Sequence, residues 1–315
     1  MAQIVTITNP LTGQPAQVDQ LDHTAQQIDD GLNIARGVSN PNLLDNWYFG
    51  NPINQRGGKI VPVGITYYSD TSLSTTAGTT SSPYTVTDVT STYGSISVSG
   101  TTYYVAASDI VDGYILRANT AVYTFDRWKL SYHGAYIYAK NGRLNFYATA
   151  GNNELLQTID SKPSGETIVL SAIVNDVLYC TNPVTVPTSI TGGNRIIASR
   201  DIPNVGSLRI YQLASGNVAC TIDTTTITSF TVKAMKLELG DQQTLAHQEN
   251  GVWVLNEIPD YGEQLARCQR YFQTFATESF RPTNALDFRP VMRATPALST
   301  ITVGGKTLYT ASADL

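Results

Sequence analysis

From about residue 43 to residue 245 the chain repeats one pattern: a short run of β-branched and aromatic residues, then a cluster of Gly, Asn, Pro or Ser. Thr85-Val86-Thr87, Ile96-Ser97-Val98, Thr102-Tyr103-Tyr104-Val105, Thr167-Ile168-Val169-Leu170, Arg195-Ile196-Ile197-Ala198, Ser207-Leu208-Arg209-Ile210-Tyr211 and Thr228-Ser229-Phe230-Thr231-Val232 are such runs. Side chains branched at Cβ are stiff and pack well on a pleated surface, and the turn formers between them leave no room for crossover helices. The pattern predicts a mainly β protein, an antiparallel β-sandwich or jelly roll rather than a βαβ fold.

Two segments break the pattern. Near the N-terminus Thr24 and Gln27 have the spacing of a capping box, and Leu21, Ala25, Ile28, Leu32 and Ala35 recur at alternating steps of four and three up to Gly37. That spacing predicts a short N-terminal helix with an oligomerising seam, too short to hold a coiled coil alone but able to align chains held elsewhere. A second helix is expected after Ile258-Pro259, capped by Asp260, with Tyr261, Leu265, Cys268 and Phe272 on one face. The chain then turns β-like again, with Gly304-Gly305 as a hairpin turn. The expected organisation is an attachment segment over 1–40, a sandwich over 41–258 with an insertion at 66–113, and a helix plus C-terminal β module over 259–315. Within the insertion, Ser69 to Ser82 is a Ser/Thr tract that reads as a solvated loop or hairpin tip.

Charge narrows the functional classes. Only 14% of residues are charged, against a usual ~25%. Such a surface is covered by hydroxyls, amides and backbone, which suits neutral polar ligands or burial in an oligomer. The net charge is −5 and no Lys/Arg cluster occurs, so the phosphate neutralisation that nucleic-acid binding needs is missing. No run approaches the ~18 apolar residues of a membrane span, and the first residues lack the layout of a signal peptide; synthesis in a cytoplasm without membrane insertion is expected. Cys180, Cys220 and Cys268 have no metal-ligand spacing and read as free thiols.

The motifs of common enzymes are absent. His23, His133 and His247 stand in separate segments outside any HxxxH spacing, and no GxSxG, P-loop or GxGxxG occurs. A glycan depolymerase would need two carboxylates in one cleft; Asp109 and Asp112, beside Tyr103, Tyr104 and Tyr114, come nearest, and the same spacing also describes an ordinary turn. Gly240-Asp241 and Asp160 offer oxygens of the kind calcium takes, without a spacing that defines a site, so no metal or cofactor is expected. Tyrosine is the richest binding resource, with 18 copies. A sugar stacks its C–H face on an aromatic ring while its hydroxyls find polar partners, and Tyr67, Tyr68, Tyr103 and Tyr104 with Asp109 and Asp112 form the candidate ligand set. Packing across strands is the competing role for these rings.

Several motifs occur in a fixed order. They are Asn42-Leu43-Leu44-Asp45-Asn46-Trp47 with Pro52-Ile53-Asn54-Gln55-Arg56-Gly57, Phe125-Asp126-Arg127-Trp128-Lys129-Leu130, Lys236-Leu237-Glu238-Leu239-Gly240, Cys268-Gln269-Arg270-Tyr271-Phe272 and Met292-Arg293-Ala294-Thr295-Pro296. The series resembles a family of tail-fibre and related structural proteins of phages and prophages of gut bacteria. The resemblance runs from roughly residue 20 to residue 300, and the insertion at 66–113 departs from the simple pattern. It implies a non-enzymatic virion component with a jelly roll similar to carbohydrate-binding modules, forming a homotrimer. Its partners would be other virion proteins through the N-terminal segment and host surface polysaccharide. A purely structural head-fibre, collar or baseplate subunit and a glycan depolymerase remain the alternatives.

Overall fold

The structure, a computed structural model, describes residues 40–117, 121–132, 134–190, 192–276, 290–303 and 306–313. The N-terminal helix and its seam of Leu21, Ala25, Ile28, Leu32 and Ala35 lie outside the described residues.

The protein is mainly β, as the alternation of runs and turns predicts, and every named strand pair is antiparallel. Two large sheets form a sandwich. The first has nine strands, in the order Val177–Cys180, Thr167–Val174, Thr228–Leu239, Arg143–Ala148, Ala135–Lys140, Val111–Leu116, Lys59–Val61 and Tyr84–Thr85, with Val184–Thr185 added beside Thr167–Val174. The second has six: Arg195–Ile202, Gly206–Gln212, Val218–Thr224, Asn153–Thr158, Lys129–Tyr132 and Val122–Tyr123. The chain crosses repeatedly between them, for example from Lys129–Tyr132 to Ala135–Lys140, from Arg143–Ala148 to Asn153–Thr158, and from Val218–Thr224 to Thr228–Leu239.

The period of two builds the core between these sheets. Leu144, Phe146 and Ala148 point inward from one strand while Arg143, Asn145 and Tyr147 point out. Ile137, Leu170, Phe230 and Val232 of the nine-stranded sheet meet Leu130, Leu155, Leu208, Ile210 and Ile222 of the six-stranded sheet. Each such side chain contributes on the order of 1.5–3 kcal/mol by leaving water. Phe49, Phe125 and Trp128 fill one end, with Phe49 and Trp128 rings 5.4 Å apart.

Tyr84–Thr85 pairs into the nine-stranded sheet, while five other strands between residues 66 and 106 form a separate sheet, in the order Thr76–Thr79, Thr66–Tyr68, Thr101–Ala106, Tyr93–Val98 and Asp88–Val89. The Ser/Thr tract becomes its first hairpin. Asp70 closes the tip by accepting from the backbone of Ser74 (3.1 Å) and Thr75 (2.8 Å) and from the Ser72 hydroxyl, which hold its carboxyl well below the usual carboxylate range. A small core of Ile96 and Val105 from this sheet and Val61 from the nine-stranded sheet joins the two.

The helix after Pro259 spans Tyr261–Gln269, and Asp260 caps it by accepting from Glu263 N at 2.8 Å. Its buried face differs from the expected one: Gln264 and Cys268 are buried, Tyr261 is exposed, and Phe272 already belongs to a strand. Gln264 faces inward because its Oε1 accepts from Asn46 N at 2.8 Å, so an amide replaces the expected apolar residue. Phe272–Ala276, Lys306–Ser312 and Ala297–Val303 close the chain as a three-stranded sheet.

The ordered motifs meet in space. Asp45 pairs with Arg127 (3.1 Å) and Arg267 (2.7 Å). Arg127 also donates to Thr158 O at 2.7 Å, and its guanidinium lies 3.4 Å from the Tyr271 ring centroid. Tyr271 hydrogen-bonds Asp160, which pairs with Arg293 at 3.2 Å. Trp128 Nε1 donates to Asn46 O at 2.8 Å. This node ties the helix and the C-terminal sheet to the sandwich. Its ion pairs join Asp45 to Arg127 and Arg267.

Candidate functional site

The structure divides the candidate tyrosines by strand parity. Tyr103 and Val105 share one face of their strand, and Tyr103 packs with Tyr67 (centroids 4.9 Å apart) onto the small core of the five-stranded sheet. Tyr68 and Tyr104 are cross-strand partners, and Tyr104 meets Tyr93 edge-on at 5.2 Å. Tyr68 and Tyr104 therefore stand together on the face away from that core. Asp109 lies half-buried in a 3-10 turn over Ala107–Asp109. Asp112 sits on a strand of the nine-stranded sheet, ion-paired with Lys59 across from it. The two carboxylates thus stand in different settings. A further tyrosine group, Tyr136, Tyr138 and Tyr147, stacks on the outer face of the nine-stranded sheet; Tyr136 and Tyr147 lie 4.7 Å apart and within 6° of parallel. Gly113 permits this packing, since a Cβ there would stand 2.7 Å from Tyr138 Cβ and 2.6 Å from Ile137 O.

A larger cavity lies at the edge of the sandwich. It measures about 440 Å³ and is bounded by the strand Val177–Cys180 with the turn after it, by Arg200 of the six-stranded sheet, by residues 241–243, and by Trp253. Leu178, Val169 and Cys180 give it an apolar floor. Burial pushes the Cys180 thiol up to about 11, so at neutral pH it is a neutral group and not a nucleophile. Asn182, Arg200 and Asp241 line the opening. Among the described residues, none of these three makes a side-chain hydrogen bond or ion pair with the protein.

The wall formed by residues 241–245 is held from beneath. Lys236 and Glu238 project from the outer side of the strand Thr228–Leu239 and are fully buried. Lys236 Nζ donates to Thr244 Oγ1 at 2.8 Å, and Glu238 Oε1 accepts from Thr244 N at 2.7 Å. Burial pushes the Glu238 carboxyl upward, against the pull of Lys236 and of the Thr244 donors. Gln243 accepts from Leu245 N at 2.9 Å and donates to Ala246 O at 2.9 Å. The hairpin Ala246–Glu249 and Val252–Leu255 then presents Trp253. A fixed aromatic ring, an apolar floor and three polar groups with free capacity suit a ligand that has both C–H faces and hydroxyls.

Sequence reading missed this site. Its residues come from five separate stretches; of them the sequence singles out only Asp241, as an oxygen ligand, and Cys180, as a free thiol. Among the described residues no group of three or more His, Cys, Asp or Glu could hold a metal ion. No protein-family model, curated protein or solved structure matches this chain.

Proposed function

We propose that this chain is a non-enzymatic, fibre-type virion subunit of a tailed phage that binds host surface glycan in the cleft beside Trp253. The observation that carries the binding reading is the uncommitted capacity of Asn182, Arg200 and Asp241 next to an aromatic ring on an anchored loop. A sugar ring stacks on Trp253 while its hydroxyls pair with those three groups. Such sites are individually weak. A homotrimer aligned through Leu21, Ala25, Ile28, Leu32 and Ala35, held to other virion proteins by the N-terminal segment, would multiply three of them by effective concentration. The virion assignment is supported by the ordered motifs and by a β-sandwich poor in charge.

The test is binding of the purified full chain to an array of immobilised bacterial surface polysaccharides. Binding that Trp253→Ala and Asp241→Ala both abolish supports the cleft. Binding untouched by either variant, or no binding to any polysaccharide, overturns it. Release of reducing ends from a bound polysaccharide would replace adhesion with hydrolysis.

A further inference from the structure

Where the helix Tyr261–Gln269 begins, the loop after Trp47 and the segment before the helix enclose a cavity of about 190 Å³. Its walls are the side chains of Tyr48, Ile258, Pro259 and Tyr261. Ile258 is 69% exposed and Tyr261 47%, so the apolar wall is open to a ligand. Tyr48 is fixed at both ends of its short reach. Its backbone bridges to Ala234, and its ring folds over Gly50, where a Cβ would stand 2.2 Å from the Tyr48 Cζ.

One polar group inside this apolar wall is left unsupplied. Gln264 is 6% exposed, and its Oε1 accepts from Asn46 N at 2.8 Å. The partner is a backbone N–H, which only donates, so the oxygen of the amide is the atom that faces it. The Nε2 at the other corner is then a donor, and it has no hydrogen-bond partner among the described residues. Gln264 lines the cavity, and its nitrogen is not sealed from solvent. Buried amides normally have an acceptor. The side chains of Tyr48, Asn51 and Tyr261 around the same cavity also make no hydrogen bond with the described residues.

We propose that this cavity is a subsite for an acetamido sugar. The acetyl carbonyl accepts from Gln264 Nε2, the acetyl methyl packs on Ile258 and Pro259, and the ring lays its C–H face on Tyr261. No charged side chain lines the cavity, which selects a neutral ligand. A hydrocarbon would fill the walls and leave the donor empty. A plain hexose would supply the donor and set hydroxyls against the apolar walls. An acetamido group carries a carbonyl acceptor and a methyl on one carbon, so it answers both. An apolar side chain of a peptide beside its own carbonyl would answer both too. The hydroxyls of Tyr48 and Tyr261 and the amide of Asn51, which the other hydroxyls of a sugar can pair with, favour the sugar. The cavity is smaller than the ~300–1,000 Å³ that encloses a drug-sized molecule, so it takes one residue of a longer glycan. The inference rests on the glycan-binding reading above and adds a contact away from the cleft.

The test records saturation transfer in solution from the full chain to N-acetylglucosamine and N-acetylgalactosamine, with glucose and galactose as controls. Transfer is expected to an acetylated sugar, strongest at its acetyl methyl, with the matching control bound at least about tenfold more weakly. Tyr261→Ala and Gln264→Glu are the informative variants. Tyr261 is exposed, so its loss leaves the fold intact. The glutamate keeps an acceptor for Asn46 N and turns the donor into an acceptor. Each should weaken the acetylated sugar about tenfold, and Trp253→Ala should leave it unchanged. If the glutamate variant does not fold, Tyr261→Ala carries the test. Equal binding of acetylated and plain sugars, no transfer to any of these sugars, or acetylated-sugar binding untouched by Tyr261→Ala overturns the subsite. So does a fall in particle mass with Tyr261→Ala by light scattering in the absence of sugar binding, which would make the cavity the seat of a second chain. The polysaccharide array with Trp253→Ala is read separately, so this subsite can fail with the cleft standing, and the cleft with this subsite standing.

Discussion

The node around Arg127 and the cleft beside Trp253 are built from the same residue types, an arginine, an aspartate, amides and an aromatic ring. They differ in what those residues have left to give. At the node, Asp45 is shared by two arginines, Arg127 is taken up by Asp45, the Thr158 carbonyl and the Tyr271 ring, and Asn46 bonds three backbone groups. In the cleft, Arg200, Asp241 and Asn182 bond nothing among the described residues. Saturated polar groups hold elements together, whereas unsaturated ones on a rigid wall are available to a ligand.

The sharpest way to break this comparison is at Arg127. Arg127→Ala takes one of its two arginines from Asp45, which keeps Arg267, and leaves the Thr158 carbonyl without its donor; the loss should be about 1.5–3 kcal/mol, the scale of a hydrogen bond to a charged group, measured by guanidinium unfolding. Arg127 also sits in the left-handed region at φ 72°. Arg127→Gly loses the same pair but escapes that backbone penalty, and should be less destabilised than Arg127→Ala by about 1 kcal/mol. Equal stability of the wild type and Arg127→Ala would show that the node carries no load.

The next effect concerns the cleft's foundation. Thr244→Val deletes the hydroxyl that Lys236 donates to, leaving a buried ammonium short of a partner at a cost of about 1–3 kcal/mol. Because Thr244 sets the wall, polysaccharide binding should weaken as well. Smaller still are Arg200→Ala and Asp241→Ala. Both leave stability within about 0.5 kcal/mol of wild type and remove cleft binding. A large loss of stability in either would mean that the cleft is structural after all.

The fold was legible because one period of two runs through most strands, and because Asp260 before Tyr261 and the Gly-rich turns are local signals. The buried face of the helix was not. Gln264 is polar, and only the approach of Asn46, 218 residues away, turns it inward. The tyrosine-rich insertion drew attention through composition, yet strand parity sends Tyr67 and Tyr103 to a core and Tyr68 and Tyr104 to the opposite face. Nothing in the sequence marks Arg200, Asn182 and Trp253 as neighbours, since they meet only where the edges of two sheets and a hairpin converge. Nothing in the sequence around Trp253 sets it apart from a core tryptophan. What distinguishes it is position beside unspent polar groups, a property of the tertiary structure alone.

The smallest predicted effect lies on the outer face of the six-stranded sheet, away from both regions. Burial, and then the neighbouring Asp223 carboxylate, push the Glu154 carboxyl above its ordinary 4.5, with Arg209, Tyr211 and Ser131 opposing. Asp223, Arg209 and Tyr211 are the charged or titratable groups that face it from the adjacent strands. A carboxyl that holds its proton more tightly when folded stabilises the fold at low pH. That contribution is complete below the unfolded value and fades as pH rises through the folded one. Glu154→Gln cannot ionise, so its melting temperature should gain on wild type as pH rises above the ordinary 4.5, by a small amount because Glu154 is part exposed and screened by solvent. Identical pH profiles would mean that Glu154 is well solvated.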